Sequence, residues 1–382
     1  MEKNREERAD ERGGALSPVE EGGAVTEKKT EAGGDTGGGS RGEGVTLRPR
    51  GRDPRRAALF TAVLLLLAAV LVITVLTGRG SGEGSESDGE TETAEPVGTE
   101  PPETEGGVYL YDPSAIPEGH VGIRPVDLSG DAREIVNLTE ETVDVAALLS
   151  PFSELQGESG TALSAPTVLI LHTHASEAYA DEGAISWDGT GEPFRSADPD
   201  AGTVAVGRAL AAALNGMGIP TLHAEVMHDV AEGEISVIGA YARARETVRH
   251  YTAIYPSIRY VIDLHRDAVY DESGAILRAV TDSSGEAAAQ VMAIVGGGGD
   301  TDRALALAVL FSEALNRDGG RIARSPTLKA ETMLSSEEGI ALTLEFGTAG
   351  NSLSEALRSV EAVARALSEM IGIDLRFYGG ET

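Results

Sequence analysis

VLILHTHASEAY, residues 168–179, opens on four apolar residues and passes at once into a polar run containing two histidines and a glutamate. An apolar run this short predicts a strand buried on both faces of a sheet. TVAVGRALAAALN at 203–215 follows with apolar residues at helical spacing and is closed by Gly216 and Gly218, the residues that end helices. The alternation then continues with a strand near 219–223, a helix near 237–255 and the strand RYVIDL at 259–264. A hairpin-like pair around 276–280 and 290–295 precedes a helix at 302–316, a strand at 341–346 and a last helix at 353–370. Ser352 and Glu355 supply the S-x-x-E spacing of a capping box at the start of that helix. Strands joined by crossover helices predict an α/β domain over 164–376, with a mainly parallel sheet covered by helices on both faces.

In such sheets ligands collect beyond the carboxyl ends of the strands. Three predicted strands end there in polar clusters: His172, His174 and Glu177; then Asp263, His265, Arg266 and Asp267; and finally Glu345. His174-x-x-Glu177 sets an imidazole and a carboxylate three residues apart, close enough on a turn or first helical turn to grip one cation. His265 is the candidate third ligand. A His, Glu, His set leaves a fourth position open, which points to a catalytic zinc, one Zn2+ per chain, rather than a structural one. Glu345 is then the general base for the attacking water. His172 is the rival first ligand; the shorter spacing favours His174 and leaves His172 an orienting or oxyanion role. Asp263, Arg266 and Asp267 are candidates for holding ligands from behind, or for replacing one. Arg266 and Asp267 could equally form a strand-end ion pair. His120, His223, His228 and His250 lack such company and are expected to be ordinary surface or core residues.

Upstream, AALFTAVLLLLAAVLVITVLT at 57–77 is 21 residues without a charge, enough at about 1.5 Å per residue to span roughly 30 Å of hydrocarbon. Arg48, Arg50, Arg52, Arg55 and Arg56 precede it and Arg79 alone follows, so the positive-inside rule predicts a single-pass signal anchor with the N-terminus cytoplasmic and the rest outside the cell membrane. Residues 1–56, rich in Gly, Glu and Arg, are expected to form a disordered cytoplasmic tail. Residues 78–107 form an acidic linker, with nine acidic and no basic residues between Gly80 and Gly107. A small segment at 108–163 and a tail at 377–382 flank the domain.

Across all 382 residues, 31 Lys and Arg face 62 Asp and Glu, a net charge of −31 that excludes a nucleic-acid partner. With no cysteine, thiolate metal sites, disulfides and thiol nucleophiles are excluded, so any metal is held by His and carboxylates.

LILHTHASEAY, VIDLHRDA and LTLEFGTAGNS, with IVNLTEETVDVAALL upstream, resemble the signature stretches of the stage II sporulation protein P family over about 107–376. That resemblance implies a membrane-anchored zinc N-acetylmuramoyl-L-alanine amidase acting on peptidoglycan in forespore engulfment. It also implies stage II sporulation proteins D and M as partners, and a fold similar to zinc amidases and metallocarboxypeptidases. Its functional positions fall on His174 or His172, Glu177, His265 and Glu345. The stretch from Asp181 to Asp200 reads as an insertion whose Trp187 could stack on a sugar or serve in packing. The same ligand set would also serve a zinc carboxypeptidase or endopeptidase on stem peptides; a non-enzymatic anchored scaffold is the alternative outside enzymes.

Overall fold

The computed structural model describes residues 107–153, 163–189, 193–231, 233–283, 285–297, 300–317, 320–330, 334 and 339–378. The expected cytoplasmic tail at 1–56, the signal anchor at 57–77 and all of the linker but its last residue lie outside them. Among the described residues no helix is long and apolar enough to cross a membrane.

In chain order the elements are β1 (Val121–Val126), β2 (Val136–Asn137), α1 (Val145–Leu149), β3 (Val168–Leu171), β4 (Ser186–Trp187), α2 (Thr203–Gly216), β5 (Thr221–His223), β6 (Val230–Ala231), β7 (Glu234–Ile235), α3 (Ala240–Ile254), β8 (Tyr260–Asp267), β9 (Ile276–Ser283), β10 (Glu286–Ala289), β11 (Val291–Val295), α4 (Thr301–Leu315), β12 (Thr327–Leu328), β13 (Ile340–Thr348) and α5 (Leu353–Tyr378). Seven strands form the main sheet in the order β2-β12-β11-β13-β8-β3-β5. Every neighbouring pair in it is parallel except β11 with β13. The sheet is thus mainly parallel, as the alternating pattern predicts.

Its two faces are covered unequally. Val168 and Ile170 of β3, Tyr260, Ile262 and Leu264 of β8, and Leu342, Leu344 and Phe346 of β13 face one core with α2, α4 and α5. Leu169, Leu171 and Val261 face a much smaller core under α3 alone. Because side chains alternate along a strand, the residues in step with Val261, namely Asp263, His265 and Asp267, emerge on the thinly covered α3 face.

The structure adds to or changes the expected pattern in three places. The hairpin pairs β9 with β10, not with 290–295. Gln290 ends that hairpin, and β11 then joins the main sheet beside β13. Its side chain anchors the crossing point, accepting from Leu128 N and donating to Asp127 Oδ1 and the Arg321 carbonyl. Local pattern shows two strands but not that one residue separates two sheets. Second, the small segment at 108–163 supplies strands to both sheets. β1 pairs in parallel with β9 and antiparallel with β4, completing a second sheet of order β10-β9-β1-β4, while β2 extends the main sheet. Third, α5 runs through Met370 to Tyr378, eight residues beyond its expected end and into the supposed tail, because Ile371 and Ile373 keep the buried stripe going.

The capping box at α5 is present: Glu355 N–H donates to Ser352 Oγ at 3.4 Å, and Ser352 N–H donates to Glu355 Oε2 at 3.1 Å. Glu355 does more than cap. It is buried, accepts from Asn351 Nδ2 at 2.8 Å and pairs with Arg278 of β9, so it ties the main-sheet helix to the second sheet. Glu355→Ala removes the cap and strands a partly buried guanidinium. We expect a loss of about 2–4 kcal/mol and a melting temperature lower by roughly 5–15 °C, measured by calorimetry. A melting temperature within about 2 °C of wild type would refute this account of the junction.

Candidate metal centre

Parallel pairing of β13 with β8 sets Glu345 directly opposite His265, and β8 pairs in turn with β3, whose last residue Leu171 lies opposite Asp263. Both strands continue past their expected ends, to Thr348 and Asp267, so His265 lies inside β8 rather than just beyond it. Neighbouring strands are about 4.8 Å apart, so residues in register on one face have side chains in contact range. Beyond β3 the chain makes a tight turn rather than a helix, with Glu177 N–H donating to the His174 carbonyl at 3.1 Å. That turn swings His174 and Glu177 over the α3 face.

The result is a compact cluster. His174, Glu177 and His265 each offer one ligand atom within 4.8 Å of the others. His174 Nδ1 lies 3.4 Å from Glu177 Oε1, and His265 Nδ1 lies 3.3 Å from Glu177 Oε2. Two ligands about 2.1 Å from one tetrahedral ion stand roughly 3.4 Å apart, so these separations fit zinc. Glu345 Oε2 is buried without a hydrogen-bond partner, a further sign of a site built for more than its own side chains.

Support comes from behind. Asp263 Oδ2 sits 3.1 Å from His265 Nε2, and Asp263 is itself fixed by Thr173, whose N–H and hydroxyl donate at 2.8 and 2.6 Å. Arg266 N–H donates to Glu177 Oε2 at 3.0 Å. The Arg266 guanidinium turns to the other face and binds the carbonyls of Ala178 and Pro193 at 3.1 and 2.7 Å, pinning the 181–200 stretch beside the turn. Asp267 pairs with Arg324 at 2.8 Å, not with Arg266.

His172 is held apart from the cluster. In step with Val168 and Ile170, it faces α2, where its Nδ1 lies 3.0 Å from the Leu264 carbonyl and its Nε2 lies 2.8 Å from His223 Nε2. Both rings occupy space that only a glycine leaves free: a Cβ on Gly207 would meet His172 Nε2 at 2.6 Å and His223 Nε2 at 2.7 Å. His223, expected to be an ordinary residue, is therefore half of a buried histidine pair. His228 is likewise engaged, its Nδ1 lying 2.7 Å from the His172 carbonyl.

The electrostatics separate the groups by role. Burial drives the His172 imidazole down to about 3, with the neighbouring His223 adding to the effect. Burial likewise takes His223 down to about 4, so the pair is neutral at physiological pH. For His265 burial acts the same way, but the Asp263 and Glu177 carboxylates outweigh it and hold the ring well above its ordinary range. Burial would raise Glu177; the His265 charge and hydrogen bonds from His174 and His265 keep it well below the usual carboxylate range. Glu345 is pushed up to about 8 by burial and by the charge of Asp267. The pocket thus concentrates carboxylates around two imidazoles and attracts positive charge. Tyr241, at the start of α3, packs edge-on against His174 with centroids 5.6 Å apart, and burial raises its phenol to about 12.

Thr173 lies inside the first motif with no role predicted for it, and Arg324, Tyr241 and Gly207 lie outside the motifs. Their roles depend on strand register and on the packing of distant helices.

A His, Glu, His cluster facing a buried carboxylate at the carboxyl edge of a mainly parallel sheet defines an α/β protein with a candidate metal centre. The family model described as stage II sporulation protein P matches residues 126–368, well over half of the chain. The chain belongs to that family, as the resemblance of its motifs implies.

Comparison with solved structures returns N-acetylmuramyl-L-alanine amidase Ami1 from Mycobacterium abscessus at 10% identity, covering 55% of this chain and 98% of that one with a TM-score of 0.31. Amidase AmiC2 of Nostoc punctiforme is 14% identical over 55% of this chain and 97% of its own, also with a TM-score of 0.31. An N-acetylmuramoyl-L-alanine amidase from Clostridium difficile 630 is 10% identical over 57% of this chain and 100% of its own, with a TM-score of 0.33. No curated protein matches the chain.

The raised Glu345 has a measurable signature in metal-free protein. An unfolded glutamate titrates near about 4.3, so between there and about 8 the folded state keeps a proton that the unfolded state releases, and stability falls as pH rises across that window. Thermal melts of metal-free wild type should therefore decline from pH 5 to pH 8 more steeply than those of Glu345→Gln. Parallel profiles would contradict the assignment.

Proposed function

We propose that this chain is a zinc-dependent N-acetylmuramoyl-L-alanine amidase, held at the cell membrane by 57–77 with its catalytic domain outside, that acts on peptidoglycan during forespore engulfment. The observation that carries the reading is the convergence of His174, Glu177 and His265, with Glu345 opposite His265 in strand register. Family membership supports the setting, and the charge pattern around 57–77 supports the orientation.

His174, Glu177 and His265 would hold the ion, which when bound supplies Lewis acidity to the scissile carbonyl and to water. Asp263 holds His265 from behind and Arg266 N–H holds Glu177, so the ligand atoms are oriented before substrate arrives. Glu345, with its affinity for a proton raised toward neutrality, takes the proton of the attacking water on its carboxylate. It then returns that proton to the alanine nitrogen as the C–N bond breaks, leaving a lactyl carboxylate on the glycan and a free amine on the peptide. Tyr241 keeps its hydroxyl proton at physiological pH and can donate a hydrogen bond across the pocket. Stage II sporulation proteins D and M are the partners this reading implies.

Mass spectrometry of peptidoglycan treated with the zinc-loaded full chain should show whole stem peptides released from glycan; trimmed stems still on muramic acid would instead indicate a carboxypeptidase or endopeptidase. Glu345→Gln should retain zinc and lose roughly 10²- to 10⁴-fold in kcat/KM. His174→Ala should lose zinc itself, read by metal analysis. A Glu345→Gln enzyme with wild-type turnover would remove that residue from the mechanism.

A further inference from the structure

The two buried tyrosines of the domain have their hydroxyls matched: Tyr179 donates to the Phe346 carbonyl at 2.9 Å and Tyr260 to Asp374 Oδ2 at 2.6 Å. Tyr241 differs. Half-buried beside the metal cluster, its hydroxyl makes no hydrogen bond among the described residues. Its ring is fixed nonetheless, packed against the small core under α3 and edge-on to His174 with centroids 5.6 Å apart. The start of α3 is fixed at the same point. Gly239 turns the chain into the helix with a φ of 75°, and Arg243 donates to the carbonyls of His228, Ser236 and Ile238, stapling the segment that leads into it. The phenol is also within electrostatic reach of Glu177, Asp263, His265 and Glu345 together, which places it over the cluster. A donor held in place and left unengaged beside reacting groups is suited to stabilising charge that develops there.

Hydrolysis of an amide builds negative charge on the carbonyl oxygen as water adds to the carbon. Both guanidiniums near the cluster are committed elsewhere, that of Arg266 to carbonyls on the other face and that of Arg324 to Asp267. Building on the amidase reading, we infer that Tyr241 is a catalytic residue whose hydroxyl donates a hydrogen bond to the oxygen of the scissile carbonyl and holds it more strongly as that oxygen becomes an oxyanion. In this step the water oxygen bonds to the carbonyl carbon, the π pair of the C=O bond moves to its oxygen, and the water proton passes to Glu345. The phenol keeps its own proton throughout.

Tyr241→Phe removes the hydroxyl and keeps the ring, so the contact with His174 survives and a packing role predicts no change. With an N-acetylmuramoyl tripeptide as substrate, the zinc-loaded full-chain variant should lose about 10²-fold in kcat, with KM within about three-fold of wild type and zinc content unchanged. A second measurement needs no turnover. In calorimetry, a phosphinate that replaces the lactyl–alanine amide by a tetrahedral anionic centre should bind the zinc-loaded variant about 10²-fold more weakly than wild type. The uncleaved tripeptide should bind Glu345→Gln and the double variant Glu345→Gln, Tyr241→Phe alike, within about three-fold, because its carbonyl oxygen carries no full charge. A kcat within about three-fold of wild type, a loss carried by KM or by zinc content, or equal affinities for the phosphinate would each overturn the inference. Wild-type chain that leaves the substrate uncut would count against the amidase reading instead, and the phosphinate ratio would still decide the role of the hydroxyl.

Discussion

The parallel register of β3, β8 and β13 is the constraint on which the candidate centre depends. It sets His265 against Glu345 and aligns Asp263 with Leu171 at the end of β3, so that Thr173, two residues further on, caps the aspartate with both its N–H and its hydroxyl. A slip of one residue in β8 would send Asp263 and His265 to the α2, α4 and α5 core and bring leucine to the cluster. The large apolar core on that side holds the register against such a slip, because Tyr260, Ile262 and Leu264 would have to leave it together. Packing on one face of the sheet therefore fixes chemistry on the other.

That division also explains the unequal covering. Three helices stabilise the sheet from one side, and the other side, under α3 alone, can give up apolar contacts to ionisable groups. Carboxylates as buried as Glu177, Asp263 and Glu345 would be unfavourable in isolation. Here Glu177 and Asp263 are answered by imidazoles, backbone N–H groups and a hydroxyl, whereas Glu345 Oε2, the atom that the proposed chemistry employs, is left without a partner.

Much of this was legible in the sequence, and for identifiable reasons. β3, β8 and β13 are apolar runs that end in polar residues, and that change of character marks both a buried parallel strand and its functional end. The H-x-x-E spacing pointed to a local turn and the later histidine and glutamate to neighbouring strands. What stayed hidden depended on contacts between distant segments. His172 and His174 have the same parity along the chain, and only the turn after Leu171 shows that their rings part to opposite faces. His223 gains a partner through Gly207, a helix residue whose significance is the absence of a Cβ. The pairing of 121–126 with β9 joins segments about 150 residues apart in sequence, which no local pattern reports.

Gln290 carries a mechanical implication. Because the backbone passes from β10 to β11 through this single residue, the two sheets are joined as leaves on a common spine, and neither can slide without dragging the other. The span between them is consequently set by covalent connectivity and the Gln290 amide rather than by loose side-chain contact. Insertions at the far tip of the β9–β10 ribbon would leave that span alone. Loss of one residue at the crossing would invert the facing of every side chain in β11, Met292 among them.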